Sequence, residues 1–157
     1  IYIAESSALY LAVSAHCNRG QKLNMPHNHN DKLALELYID GVAVLTDPGS
    51  YVYTPLTCMR DQFRSVRAHN ALQVGELEQN RFVDTFVSYP DARCTLLAFS
   101  SHSIELALAY RGVKQRRRIE ITDSAVIVID YCNRPFRQCW NDFAWESVGY
   151  GKLRSRM

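Results

Sequence analysis

Short apolar runs of β character, broken by turn residues every few positions, constrain this chain more than any other feature of its sequence. They fall at residues 10–15, 33–39, 42–45, 94–99, 104–110, 118–122 and 126–131. Asp40-Gly41 separates KLALELYI from VAVLT, and Thr122-Asp123-Ser124 separates RRRIEI from AVIVIDY. Residues of these kinds close tight hairpins, so the flanking strands pair antiparallel. Leu33, Leu35, Leu37 and Ile39 alternate with Glu36, Tyr38 and Asp40, the pattern of a strand with one buried face. The expected fold is all-β, an antiparallel β-sandwich formed by residues 1–157 as one domain. One short helical segment is expected near residues 59–67, where Arg60, Arg64 and Arg67 share a face. Arg116, Arg117 and Arg118 lead into a strand and are expected at an exposed, charged edge. The basic end GYGKLRSRM is expected to fray.

A chain of 157 residues buries about 70% of its unfolded surface on folding, enough for a core without staples. Its 47% hydrophobic and 22% charged residues exclude a disordered tail. No apolar run nears the ~20 residues of a spanning helix, so no membrane partner is expected. Eighteen Lys and Arg against sixteen Asp and Glu give a net charge of +2, which argues against nucleic acid as a partner. The five cysteines, Cys17, Cys58, Cys94, Cys132 and Cys139, have no metal-like spacing, and their odd number argues against a disulfide framework. The opening IYIAESSALYLAVSA has no leader pattern and reads as a piece of a longer chain.

The densest polar cluster is PHNHND, with Asp47 in LTDPGSYVY and His69 in RAHN. On extended backbone His27 and His29 point the same way, toward the end of the core face. Two imidazoles and a carboxylate, with a fourth position left for water, are a zinc ligand set. Register tests this. A two-residue turn at Asp40-Gly41 puts Asp47 opposite Ala34, away from the histidines; a one-residue bulge turns Asp47 and Tyr53 toward them, so the metal reading requires that bulge or a break at Pro48-Gly49. Cupins also carry HxH on a strand, but their Glu follows the second His by four or five residues, positions held by Leu33 and Ala34 in this chain. A cupin-like metal enzyme is therefore a minor alternative.

The succession PHNHNDKLALELYIDGVAVLTDPGSYVYT, then MRDQFRSVRAHNALQVGELEQNRF, resembles the C-terminal domain of the heparinase II/III-like polysaccharide lyases, which include related alginate lyases. The resemblance runs from about Ile1 to about Tyr131 and fades beyond Cys132. It implies a β-sandwich that packs on an N-terminal helical toroid, a domain absent from this sequence, with an acidic polysaccharide between the two. It implies one structural zinc ion held by His29, Asp47 and His69, and His27 facing the substrate. Tyr53 is the implied catalytic tyrosine, with Tyr51 close behind as a substrate contact. Arg60, Arg64 and Asn70 complete the implied substrate-binding set, guanidinium forks being suited to carboxylates and sulfates.

The activity so implied is β-elimination on a uronate-containing glycan of the heparin, heparan or alginate type. A base removes the proton beside the carboxylate and an acid protonates the departing oxygen. With the principal base and acid on the toroid, the isolated domain is expected to be inactive. A non-catalytic carbohydrate-binding or structural sandwich is the rival from another class. Lyases of this kind imply a periplasmic or secreted setting, while the unpaired cysteines point mildly the other way.

Overall fold

Strand periodicity and turn chemistry resolve into two four-stranded antiparallel sheets that share one apolar core. The computed structural model describes residues 1–16 and 27–156; Cys17 and Met157 lie outside them. The first sheet has the order β1 (Tyr2–Glu5), β2 (Leu9–Val13), β3 (Leu35–Ile39), β4 (Val42–Leu45). The second has the order β6 (Arg93–Phe99), β7 (Ser103–Tyr110), β8 (Val113–Ile121), β9 (Val126–Cys132). Between them in sequence come helix α1 (Thr57–Arg64), a 3-10 turn (Val66–Ala68) and β5 (Leu72–Gln73), which pairs with β10 (Arg137–Gln138). Leu11, Leu35 and Leu37 from one sheet meet Ile104, Leu106 and Leu108 from the other, all of them buried. Truncating any one of these to Ala would cost about 2–5 kcal/mol.

The Asp40-Gly41 connection closes as the sequence implied, with φ of 49° and 74°, the left-handed pair of a type I′ hairpin. Arg111-Gly112 repeats that geometry between β7 and β8, at 45° and 79°; it is a turn hidden within a basic stretch. Along β3 and β4, Ile39 pairs with Val42 and Tyr38 with Ala43, and the register then shifts so that Leu37 pairs with Leu45. That shift is a one-residue bulge, one of the two routes by which Asp47 can turn toward the histidines.

Three expectations are corrected. Arg117 is not at an edge. It lies in β8, an inner strand of its sheet, and is fully buried. Its Nε and Nη2 donate to the two oxygens of Asp130 at 2.7 and 2.8 Å, and its Nη1 donates to the Leu33 and Asn70 carbonyls at 2.6 and 2.9 Å. Arg116 and Arg118 point outward on the opposite face, as the two-residue period demands. The C-terminal segment does not fray, because β11 (Trp145–Gly149) and β12 (Lys152–Ser155) form a bulged hairpin. Finally, Leu33 has φ 66°, so β3 begins at Leu35 and both motif histidines lie on the preceding loop. The HxH is therefore not a strand motif, which removes the ground for a cupin.

Candidate functional site

The loop bearing the histidines is held by a buried polar zipper. Asn30 donates from Nδ2 to Glu78 Oε2 and the Asn80 carbonyl at 2.7 and 2.9 Å, and its Oδ1 accepts from the Asn80 amide at 2.9 Å. Gln79 accepts from the Lys32 amide and donates to the Lys32 carbonyl, at 3.0 and 2.9 Å. Glu78 also accepts the Val66 amide at 2.9 Å, and burial pushes its carboxyl above the ordinary range. These bonds satisfy main-chain groups where no strand can. Thus GELEQN scaffolds HNHND, and His29 and His69 are set from either side of the same zipper.

Asp47 follows the β4 bulge. Its Oδ1 accepts the Gly49 amide at 2.8 Å, and its Oδ2 lies 2.6 Å from His69 Nδ1. The two shifts are reciprocal. Burial pushes the Asp47 carboxyl up, but the His69 hydrogen bond and charge outweigh it and hold the group below its ordinary value. Burial pushes His69 down, and Asp47 in turn holds it above its ordinary value. At His29 burial, then the charge of His69, outweigh the nearby carboxylates of Asp31 and Asp47 and lower the pKa to about 4. Its Nε2 lies 3.3 Å from Ser50 Oγ.

Whether these side chains suit a metal is a question of donor chemistry. Two imidazoles on one tetrahedral zinc place their ring centroids about 5 Å apart, and those of His29 and His69 stand 5.3 Å apart. His69 Nε2 is buried with no hydrogen-bond partner among the described residues. Asp47 bonds Nδ1 of that ring, on the side away from Nε2, so it shares an ion with Nε2 only by leaving that bond. The fit lies in the donor types and the orphaned nitrogen. Among the described residues, no three His, Cys, Asp or Glu side chains stand together as a ready metal-holding group.

His27, His29 and Asp47 line one cleft of about 470 Å³, together with His16, Asp31, Glu36 and Ser50. His16, Asp31, Glu36 and Ser50 are additions to the set that the sequence suggested. Burial, then the charge of Asp47, raise Glu36 above its ordinary pKa. At the rim, exposed His27 meets the Tyr53 ring edge-on with centroids 5.4 Å apart. The Arg60 guanidinium lies 4.3 Å from the Tyr53 centroid. Tyr51 turns away from the rim; at φ 57° it packs its ring on Phe63 with centroids 5.4 Å apart.

The other three polar candidates are buried outside the cleft lining. Arg64 is fully buried, donating to Asp61 and to the carbonyls of Asp84 and Thr85, with its guanidinium carbon 3.9 Å from the Phe82 ring centroid. Arg60 donates from Nε to the Thr85 carbonyl at 2.9 Å. Asn70 donates from Nδ2 to the Leu35 and Thr46 carbonyls and accepts the Asn141 amide, at 2.8, 3.1 and 2.7 Å. In this structure these three side chains brace α1 and the Asp47 segment.

The fold has relatives among solved structures. A heparinase III gene product with methylated lysines superposes with a TM-score of 0.63 at 17% identity, over 99% of this chain and 32% of its own. The heparan sulfate lyase HepC from Pedobacter heparinus gives 0.55 at 20% identity, over 80% and 19%. A further heparinase III structure gives 0.57 at 18%, over 79% and 19%. This chain therefore spans about a third or less of the length of those proteins. No curated protein sequence matches it. The family model for the heparinase II/III-like C-terminal domain matches residues 1–138, the stretch that carries both sheets and every cleft residue named above, and the chain belongs to that family.

Proposed function

We propose that this chain is the sandwich domain of a polysaccharide lyase that cleaves an acidic, uronate-bearing glycan by β-elimination, and that it is inactive without an N-terminal helical toroid. The observation that carries the reading is the gathering of His27, His29 and Asp47 on one cleft, in a chain of this family. In the elimination, the proton beside the carboxylate leaves to a base as the bond to the neighbouring glycosidic oxygen breaks, and that oxygen takes a proton from an acid. His27, exposed at the rim, faces the substrate carboxylate and offers a donor to the charge that develops beside it. Tyr53, held between the His27 edge and the Arg60 guanidinium, is the group of this domain suited to pass a proton at the leaving oxygen.

Zinc belongs to the same proposal. Asp31, Glu36 and Asp47 put three carboxylates on the cleft, and a polyanion would avoid them without a cation among them. His29, His69 through its Nε2, and Asp47 once turned from its bond to His69 Nδ1, would hold it. Bound there, the ion would keep this wall of the cleft in shape and offset its negative charge.

The test uses the longer protein that contains this domain, incubated with heparan, heparin and alginate while the ultraviolet absorbance of unsaturated uronate is followed. Chain cleavage with that absorbance supports the reading, and cleavage without it would assign a hydrolase. Binding with no cleavage would leave the non-catalytic sandwich as the better description. His27→Ala should remove most turnover and leave zinc content unchanged.

A further inference from the structure

The C-terminal hairpin is built onto the site rather than beside it. The Ser147 amide donates to the Pro48 carbonyl at 2.7 Å, and the Gly151 amide donates to the Tyr51 carbonyl at 2.9 Å. These two bonds clamp the β11–β12 tip to the segment that carries Asp47 and Ser50. Arg156 Nη2 adds bonds to the Thr46 carbonyl and hydroxyl at 3.0 and 2.8 Å. Gly49, at φ 75°, would carry a Cβ 3.2 Å from Ser147 Cβ, so the hairpin approaches where only glycine fits. At the tip stands Tyr150, between Gly149 and Gly151 with φ of 153° and 70°. Its ring lies nearly parallel to Tyr53, 13° apart in plane with centroids 6.1 Å apart, and the residue is 62% exposed.

A ring that serves packing alone gains most when its neighbours cover it. Tyr150 is fixed by its neighbours and left open. His27, Tyr53 and Tyr150 thus form a row running outward from the cleft, and its outer member lies beyond the residues matched by the family model. A pyranose ring has an apolar face of C–H bonds, while its carboxylates, sulfates and hydroxyls project from its edges. Stacking on an aromatic ring takes up that face without a cation. This matters because Arg60 and Arg64 direct hydrogen bonds to main-chain carbonyls.

Resting on the lyase reading, we propose that Tyr150 forms, with Tyr53, a stacking subsite for the sugar ring that follows the reacting one, so that the hairpin fixes how the acidic glycan enters the cleft. The probe is an alginate or heparan tetrasaccharide titrated into this chain with ¹³C-labelled tyrosine and histidine, followed by aromatic NMR. The Tyr150, Tyr53 and His27 signals should move on one isotherm. Tyr150→Ala should weaken binding about tenfold, the loss of one stacked ring, and Tyr150→Phe should stay within about twofold because the ring remains. In the longer enzyme the loss should fall on KM more than on kcat, a split that a general loss of folding would not give. If Tyr53 and His27 shift while Tyr150 does not, or if Tyr150→Ala binds as the wild type does, the subsite is refuted and the lyase reading stands. If neither tetrasaccharide moves any of the three signals and the longer protein cleaves neither glycan, both fall.

Discussion

Replacing Arg117 with Met should cost this chain about 4 kcal/mol, more than any single truncation on its surface. The Arg117 and Asp130 side chains are 0% and 1% exposed, so the pair sits in a low-dielectric interior where each charge depends on the other. Methionine fills most of the volume and removes the charge, leaving the Asp130 carboxylate, among the described residues, with the Gln138 Nε2 donor at 2.7 Å. Breaking a buried pair from one side typically costs about 3–5 kcal/mol. The Leu33 and Asn70 carbonyls also lose their Arg117 donor. That adds to the loss only in part, since groups in one network are not additive. The assay is urea unfolding at constant m. The double variant Arg117→Met with Asp130→Leu should recover at least half of the loss, because it removes the stranded charge together with its partner. A single variant within about 1 kcal/mol of the wild type, or a double variant no better than the single, would refute the assignment of the cost to an uncompensated buried charge.

Other outcomes follow from the same coordinates. Gly49→Ala should destabilise by about 1–2 kcal/mol and detach the hairpin, since φ 75° is strained for any Cβ and Ser147 blocks the space; loss of Tyr53–Tyr150 nuclear Overhauser contacts would register it. In metal-free protein, His29 titrates near 4 when folded and near 6.5 when unfolded, so the unfolded chain takes up the extra proton in that window. Stability should therefore fall as pH drops from 6.5 to 4, by up to about 1.4 kcal/mol per unit, and His29→Gln should flatten this part of the profile. His69 has the opposite sign: its folded pKa is raised by Asp47, so its contribution is complete below the unfolded value and is lost as pH rises through the folded one. Zinc should raise the melting temperature in proportion to the logarithm of its concentration, and His69→Ala should abolish that rise.

The sandwich was legible because its signals are local: a two-residue period, a tight turn and one wide apolar run suffice, and even the need for a bulge or a break could be read from the turn before Asp47. The polar residues were harder because exposure is not a local property. Arg60, Arg64 and Asn70 stand in motif-like sequence, yet they donate hydrogen bonds to main-chain carbonyls around α1 and the Asp47 segment. Arg117 did leave a signal. It is in phase with Val113, Gln115 and Ile119, all of which face inward, and an arginine on the buried phase of an inner strand implies a buried carboxylate elsewhere. Asn30 and Gln79 stand among the motif letters and Tyr150 in no motif, but the roles of all three depend on segments that meet only in the folded chain. The densest motif letters therefore report chiefly how the histidine loop is held, whereas the ring most open to a ligand, Tyr150, comes from a stretch with no motif. The physical demands differ: a buried hydrogen-bond zipper tolerates few residue types at each position, while a stacking surface requires only a flat, rigid ring delivered to the right place.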